Sequence, residues 1–374
     1  MTISPFDDYP IHQTPLPVIH PVSGDPNHYD RYWFNGYDVD GEWYFGVAMG
    51  VYPNRGVIDA AFSVLRDGTQ RSVFASGRAP IDRRETRIGP VSIEILEPLR
   101  ENRVVVRAEH LGITAELLWR PRTIAIEEPR QTMVSEARTT LDSTRFTQWG
   151  TWEGRVDVDG APFEVRADRT RGTKDRSWGI RPVAEQVPSA PSREMPGVFF
   201  LWSPVHWDDR CTHAMLFERP DGRRLESSAA SVPVIGEGDP VFGAESTVER
   251  AHEPTYKLRW RSGTRRMEAA SFTFTYPDGR TEEFVYEPLG LDFQMKGIGY
   301  FHPEWAHGRW QGELKEGTDA WRIGELDLLE ITNIHCQQVC RVRNGEQTGI
   351  GVLEQLAIGP HSPTGLKSLL DGAD

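Results

Sequence analysis

Cysteine, helix signals and long apolar runs are all scarce in this 374-residue chain. Three cysteines cannot all pair with one another, so a disulfide framework is excluded and reduced thiols in a cytoplasmic setting are expected. No uncharged run approaches the ~18 residues of a membrane-crossing helix. The start, MTISPFDDYPIHQ, has neither a basic cluster nor an apolar stretch, so no secretion signal is expected. Basic charge is also in deficit: the formal net charge is −13, which argues against nucleic acid or an anionic membrane as a partner. No GxGxxG precedes a helix pattern, and GxxxxGK[ST], HExxH and GxSxG are missing. Nucleotide-dependent, zinc-protease and α/β-hydrolase chemistry are therefore disfavoured, and no cofactor is implied.

What is present is turn chemistry. Asp-Gly occurs at 40–41, 67–68, 159–160, 221–222 and 278–279, and Asn-Gly at 344–345. These pairs suit tight hairpins because both residues tolerate positive φ. Between them lie alternating runs: Tyr256, Leu258 and Trp260; Phe272, Phe274 and Tyr276; Val91, Ile93 and Ile95. Period-two patterning predicts half-buried antiparallel strands, and the fold class is all-β. The helical pieces are short, such as Gly365–Leu370. The proline- and serine-rich stretch 183–196 reads as a linker. It separates an N-terminal β domain (1–182) from a C-terminal one (197–374), in line with roughly 100–200 residues per domain. The halves look related: Val57–Gly68 and Cys211–Gly222 are both apolar strands ending in Asp-Gly, each following an aromatic strand. Two tandem antiparallel barrels or sandwiches are predicted.

Two clusters carry possible chemistry. The first, Gly172–Arg181, ends the N-terminal half, where charged side chains would face the domain junction. Asp175 offers a carboxylate, Arg176 a fork of donors and Trp178 an apolar wall. The alternative is a turn in which Asp175 binds backbone amides and Trp178 plugs a barrel end. The second, Lys296–Gly308, gathers Tyr300, His302, Glu304, Trp305 and His307. On a strand, Tyr300, His302 and Glu304 share a face, and a histidine beside a carboxylate suits acid/base work near neutral pH. The alternative is a polar rim with aromatic packing. His302, Glu304 and His307 are metal-ligating types, but His307 falls on the other face unless the strand ends at Pro303, so no metal is assigned. Cys336 and Cys340 lack further ligands at metal spacing and read as core thiols.

The segments RYWFNGYDVDGEWYFGVAMGVYPNRG (31–56), GTKDRSWGIRP (172–182), GYFHPEWAHG (299–308) and GVLEQLAIGPH (351–361) resemble the tandem lipocalin-like superfamily. That superfamily includes carotenoid 1,2-hydratase (hydroxyneurosporene synthase), kievitone hydratase and the lipocalin-like Diels–Alderases. The likeness is strongest to its uncharacterised bacterial branch. It implies two barrels side by side and an apolar pocket near their junction. It also implies a cofactor-independent reaction on a terpenoid, steroid or polyketide-like molecule: hydration, dehydration, isomerisation or cyclisation. Where the hydratases tend to show Asp-His-Asn-Trp-Gly, this chain has Asp175-Arg176-Ser177-Trp178-Gly179. An arginine stays protonated and cannot shuttle a proton at pH 7, so the donor falls to His302 or His206. The expected catalytic set is Asp175, His302 and Glu304. Arg176, Trp178, Tyr300, Trp202, His206 and His307 are expected to contact the substrate. The clusters are expected to meet across the junction through Arg176–Glu304 or Asp175–His302 pairs. The competing reading is a non-catalytic carrier of a hydrophobic small molecule.

Overall fold

The structure is a computed structural model and describes residues 8–10, 19–135, 138–183 and 197–374. Apart from Val183, the expected linker lies outside the described residues. The first half supplies β1 (His28–Asp38), β2 (Trp43–Tyr52), β3 (Val57–Arg66), β4 (Thr69–Arg78), β5 (Arg87–Ile88), β6 (Val91–Glu97), β7 (Glu101–Ala108), β8 (Ile113–Pro121), β9 (Ile126–Glu127), β10 (Gln131–Ser135), β11 (Arg138–Val158), β12 (Ala161–Val165) and β13 (Thr170–Ile180). The second half supplies β14 (Val198–His206), β15 (Arg210–Glu218), β16 (Arg224–Pro233), β17 (Glu249–Arg250), β18 (Thr255–Trp260), β19 (Met267–Thr275), β20 (Thr281–Gln294), β21 (Leu314–Arg322), β22 (Cys336–Asn344) and β23 (Gln347–Ile358). Among the described residues the only helical pieces are 3-10 turns. Gly365–Leu370 is not helical: a 3-10 turn ends at Thr364, Gly365 has φ +78°, and Leu366 bridges back to His361.

The six Asp-Gly and Asn-Gly pairs named above fall at hairpins that join consecutive strands, whereas Asn35-Gly36 lies inside β1 and Asp371-Gly372 follows the last strand. At Asp67-Gly68 both residues have positive φ and Arg66 pairs with Thr69, which is the two-residue turn that the twist of the flanking strands favours. The strands form two curled antiparallel sheets, the tandem lipocalin-like architecture. The first runs β21-β4-β3-β2-β1-β13-β11-β8-β7-β6-β5, and the second runs β17-β16-β15-β14-β23-β22-β20-β19-β18. In each half the first strand pairs with the last, β1 with β13 and β14 with β23. By that equivalence β15 corresponds to β2 rather than to β3, so the repeat read between Val57–Gly68 and Cys211–Gly222 is one strand out of step.

β21 departs from chain order. It leaves the second half and pairs with β4 at the edge of the first sheet. Residues 295–335 are thus an excursion of the second half across the first sheet, and they carry the second polar cluster. β1 and β2 are buried at every position, which explains why their sequences show no polar alternation. Their even residues Tyr32 and Phe34 face the first barrel's core with Trp119 and Trp152. Trp33 and Tyr37 face the other way, with Trp202, Met215 and Phe293 of the second sheet. Close approach there depends on Gly46, where a Cβ would lie 2.7 Å from Trp33 and 2.8 Å from Phe293.

Candidate functional site at the sheet junction

β13 lies between β1 and β11, and alternation along it divides the Asp175–Gly179 motif between two environments. Arg176 points into the first barrel. It is fully buried, pairs with Asp30 at 2.7 Å and stacks 3.7 Å over the Tyr32 ring. One step along the same face, Lys174 pairs with Asp8 at 2.5 Å and donates to Asn102 at 2.8 Å. Trp178 packs edge-on against Phe146 beside Leu99 and Val241. Asp175 points the other way, into the junction, where Arg145 of β11 meets it at 3.1 Å. Burial pushes the Asp175 carboxyl up to about 6, against the pull of Arg145.

Two further carboxylates complete this floor. Glu128 accepts from Thr147 Oγ1 at 2.5 Å and Trp202 Nε1 at 3.1 Å, and pairs with His213 at 3.2 Å. Burial alone would raise it; His213, Arg145 and Thr147 outweigh that and hold it at about 2. Glu354 of β23 pairs with His335 at 2.7 Å and accepts from Gln337 Nε2 at 2.6 Å. These bonds overcome burial and hold it below the usual range. Gln337 Oε1 in turn accepts from Asn35 Nδ2 at 3.0 Å and from the Tyr44 hydroxyl, tying the second sheet to the first.

The second cluster is not a strand. Met295–Ile298 forms a 3-10 turn, and positive φ at Gly299, Phe301 and Gly308 keeps the chain turning. The shared face expected for Tyr300, His302 and Glu304 is therefore lost. His302 Nδ1 accepts the backbone N–H groups of Glu304 (3.1 Å) and Trp305 (2.9 Å), and its Nε2 faces Asp319 at 3.3 Å. Burial lowers its basicity against the pull of Asp319. Glu304 is exposed and pairs with Lys315 at 2.5 Å. Arg176 and Glu304, and likewise Asp175 and His302, thus have other partners than each other.

The clusters nonetheless touch, through Arg181. Its Nη1 donates to the Tyr300 hydroxyl oxygen at 3.0 Å and its Nη2 to His307 Nδ1 at 3.2 Å. Arg31 Nη1 donates to the same Tyr300 oxygen at 2.9 Å. His307 Nε2–H donates to the Ile298 carbonyl at 2.7 Å. Burial, Arg31 and Arg181 push the His307 imidazole well below its ordinary value, so it is neutral. His206 is neutral for the same kind of reason: it is buried and faces Arg122 and Arg171, and it donates to the Gly172 carbonyl at 3.1 Å. That bond makes it a strut between the halves.

Arg31, Arg145, Glu128, Arg181 and Glu354 escaped selection from the sequence. Arg31 and Glu354 lie inside the segments that carry the superfamily resemblance, and Arg181 lies inside the first cluster. Arg145 sits in a polar strand with no distinguishing neighbour. Beside Arg145 the walls turn apolar, with Phe200 at 6.0 Å from its guanidinium and Met133, Leu141 and Val198 part-buried against the junction core. A cavity of about 10 Å³, room for about one water, is lined by His307, Trp305, Ile298 and Asp59. An open groove of about 890 Å³ along Thr86–Ile95 and Glu313–Leu314 includes none of the junction residues. Among the described residues no three His, Cys, Asp or Glu side chains converge as a metal would require. All three cysteines are buried and free, and burial pushes the Cys211 and Cys336 thiols up to about 12. No helix among the described residues is long and apolar enough to cross a membrane.

A family of unknown function (DUF8625) matches residues 3–367. This protein belongs to that family. No curated protein matches this DUF8625 member in sequence. Three solved structures are similar. Kievitone hydratase from Nectria haematococca has 12% identity and a TM-score of 0.51, covering 87% of this chain and 88% of its own. A provisionally named AttH from Nitrosomonas europaea has 13% identity and a TM-score of 0.55, covering 88% and 92%. CghA with Sch210972 has 12% identity and a TM-score of 0.50, covering 89% of each chain. At such identity the likeness establishes the fold alone, the tandem lipocalin-like architecture described above.

Proposed function

We propose that this protein is a cofactor-independent enzyme acting on an apolar terpenoid, steroid or polyketide-like molecule at the junction of two tandem lipocalin-like domains, 1–182 and 197–374. The reaction is addition or removal of water, or a related isomerisation or cyclisation. One observation carries this reading: Asp175 is a buried carboxyl poised at about 6 beside an apolar wall. A group with that pKa holds its proton in an appreciable fraction of molecules near neutral pH and releases it to a substrate carbon. Arg145 then stabilises the carboxylate that remains. Aromatic faces such as Phe200 and Trp202 suit a developing carbocation through cation–π attraction. Dehydration runs the same steps backwards, with Asp175 as base.

His302 and Glu304 drop out of the proposed chemistry because their polar atoms hold a turn and a surface ion pair. Arg176 drops out as a substrate contact because it is sealed inside the barrel. Three buried thiols fit the reducing cytoplasm. The name of kievitone hydratase, among the similar folds, favours the hydratase form of this reading.

The test is turnover of a panel of alkenes and tertiary alcohols without added cofactor. Asp175→Asn should lower kcat on the order of 10²-fold or more. Wild-type rates in Asp175→Asn would remove the assignment. The apolar wall also favours the carrier reading, which would show as an unmodified stoichiometric ligand in mass spectra and no turnover.

A further inference from the structure

Tyr300 receives hydrogen bonds from two arginines and gives none. Arg31 Nη1 and Arg181 Nη1 both donate to its oxygen, at 2.9 and 3.0 Å. Among the described residues no acceptor lies within reach of a Tyr300 proton, and neither arginine forms an ion pair with a carboxylate. Arg31 is 2% exposed. Arg31 Nη2 also donates to the Ile298 carbonyl at 3.1 Å, but among the described residues neither guanidinium has a carboxylate in direct contact; such a pair favours an anion between them, and the one oxygen they share belongs to a phenol. We propose that Tyr300 is held as a phenolate by Arg31 and Arg181 and serves as the base of the junction site, complementary to the acid Asp175.

The surroundings fit this charge. The rings of His307 and His335 stand edge-on to Tyr300 at 4.6 Å each, and His307 is neutral. Burial favours the neutral phenol, and Arg181 and Arg31 outweigh it, so the hydroxyl is more acidic than an ordinary tyrosine; Glu354 opposes them in part. Arg145, on β11, also feels the Tyr300 charge. On the β2–β3 side Tyr52 and Asp59 face the two arginines, and burial pushes Asp59 up to about 6. The sheet places the acid near one of the two arginines that hold the base. Arg31 pairs with Ser177 across β1 and β13, so Asp175 is two residues along on the same face. Asp175 and Tyr300 both respond to Arg31 and Glu354.

This inference rests on the junction reading above. In hydration, Asp175 gives its proton to an alkene carbon, and the π bond becomes a C–H bond and a cation. Water forms the C–O bond to that cation and passes one proton to the Tyr300 oxygen. Asp175 ends as carboxylate and Tyr300 as phenol. One proton moving between them through solvent restores both.

The experiment reads the phenolate directly. Ultraviolet difference spectra of the full-length protein are recorded from pH 6 to 9 against Tyr300→Phe. One phenolate band near 295 nm should be present at pH 7.5 in wild type and absent in Tyr300→Phe, while the other nine tyrosines stay protonated. Arg181→Met should shift the band's appearance to higher pH. If the variants fail to fold, ¹³C-ζ tyrosine NMR of the wild-type protein gives the same answer from one shifted resonance. No phenolate below about pH 10, the ordinary tyrosine value, overturns the proposal even if Asp175→Asn abolishes turnover. A phenolate in a protein that turns over no alkene or alcohol sustains the ionisation, and removes the base role together with the hydratase reading.

Discussion

Arg176 stands where the hydratases that this sequence resembles tend to carry histidine, and Arg176→His would restore that histidine. The structure predicts that it damages the fold and gains no catalysis. Arg176 is fully buried, with Asp30 at 2.7 Å and the Tyr32 ring centroid 3.7 Å from its guanidinium. Removing one partner of a buried ion pair costs about 3–5 kcal/mol. Loss of a desolvated cation–π contact removes up to about 2 kcal/mol, partly the same energy. A loss of about 4 kcal/mol is therefore expected from urea or guanidinium unfolding followed by tryptophan fluorescence. The pair can be isolated with Arg176→Met, Asp30→Leu and the double variant. Replacing both partners with apolar groups is often near neutral, so the double variant should recover at least about 2 kcal/mol of the summed single losses. A cost below about 1 kcal/mol for Arg176→His, or strict additivity in the cycle, would refute the structural role. A gain in hydration rate in Arg176→His would return the motif to the chemistry.

Three other outcomes are expected. The folded Asp175 pKa of about 6 lies above the ordinary value, so this group costs stability as pH rises through that range. Asp175→Asn should therefore gain on wild type by on the order of 1–3 kcal/mol between pH 4 and 7 in denaturation measurements, and a constant difference would count against the raised pKa. Glu304→Gln should change stability by less than about 0.5 kcal/mol and leave turnover intact, because its pair with Lys315 is at the surface; a large kinetic defect would restore Glu304 to the site. Gly172→Ala places a Cβ 2.1 Å from the Asn35 carbonyl oxygen between β13 and β1. Its cost should be at least about 1–3 kcal/mol in the unfolding midpoint, the range for overpacking; an unchanged midpoint would mean that the two strands are looser than described.

The architecture was legible because its signals are local. Hairpin turns depend on two residues, and half-buried strands such as Tyr256–Trp260 carry their pattern in consecutive positions. β1 and β2 escaped that rule because both faces are covered, one by the first barrel's core and the other by the second sheet. The second cluster misled for a related reason. Alternation of Tyr300, His302 and Glu304 is strand-like only if the backbone is extended, and the positive φ at Phe301 breaks that face. The departure of β21 to the first sheet has no local signal at all, since its partner β4 lies more than 200 residues earlier. Arg145 was illegible because its importance comes wholly from what the second sheet and β13 bring to it.

The division of β13 decides which compartment suits the proposed apolar substrate. Even positions Lys174 and Arg176 face the first barrel, where Asp8 and Asp30 neutralise them beside packed tryptophans. An apolar guest there would have to separate buried charge pairs, at several kcal/mol for each. The odd position Asp175 faces the junction, where Arg145 is part-exposed and apolar side chains from both sheets are only partly buried. With Arg176 unable to shuttle a proton and committed to Asp30, the proposed proton transfer falls to the adjacent residue on the opposite face. Because side chains alternate with a period of two, this one-residue step along the chain carries the proposed chemistry from the inside of a barrel to the surface between two of them.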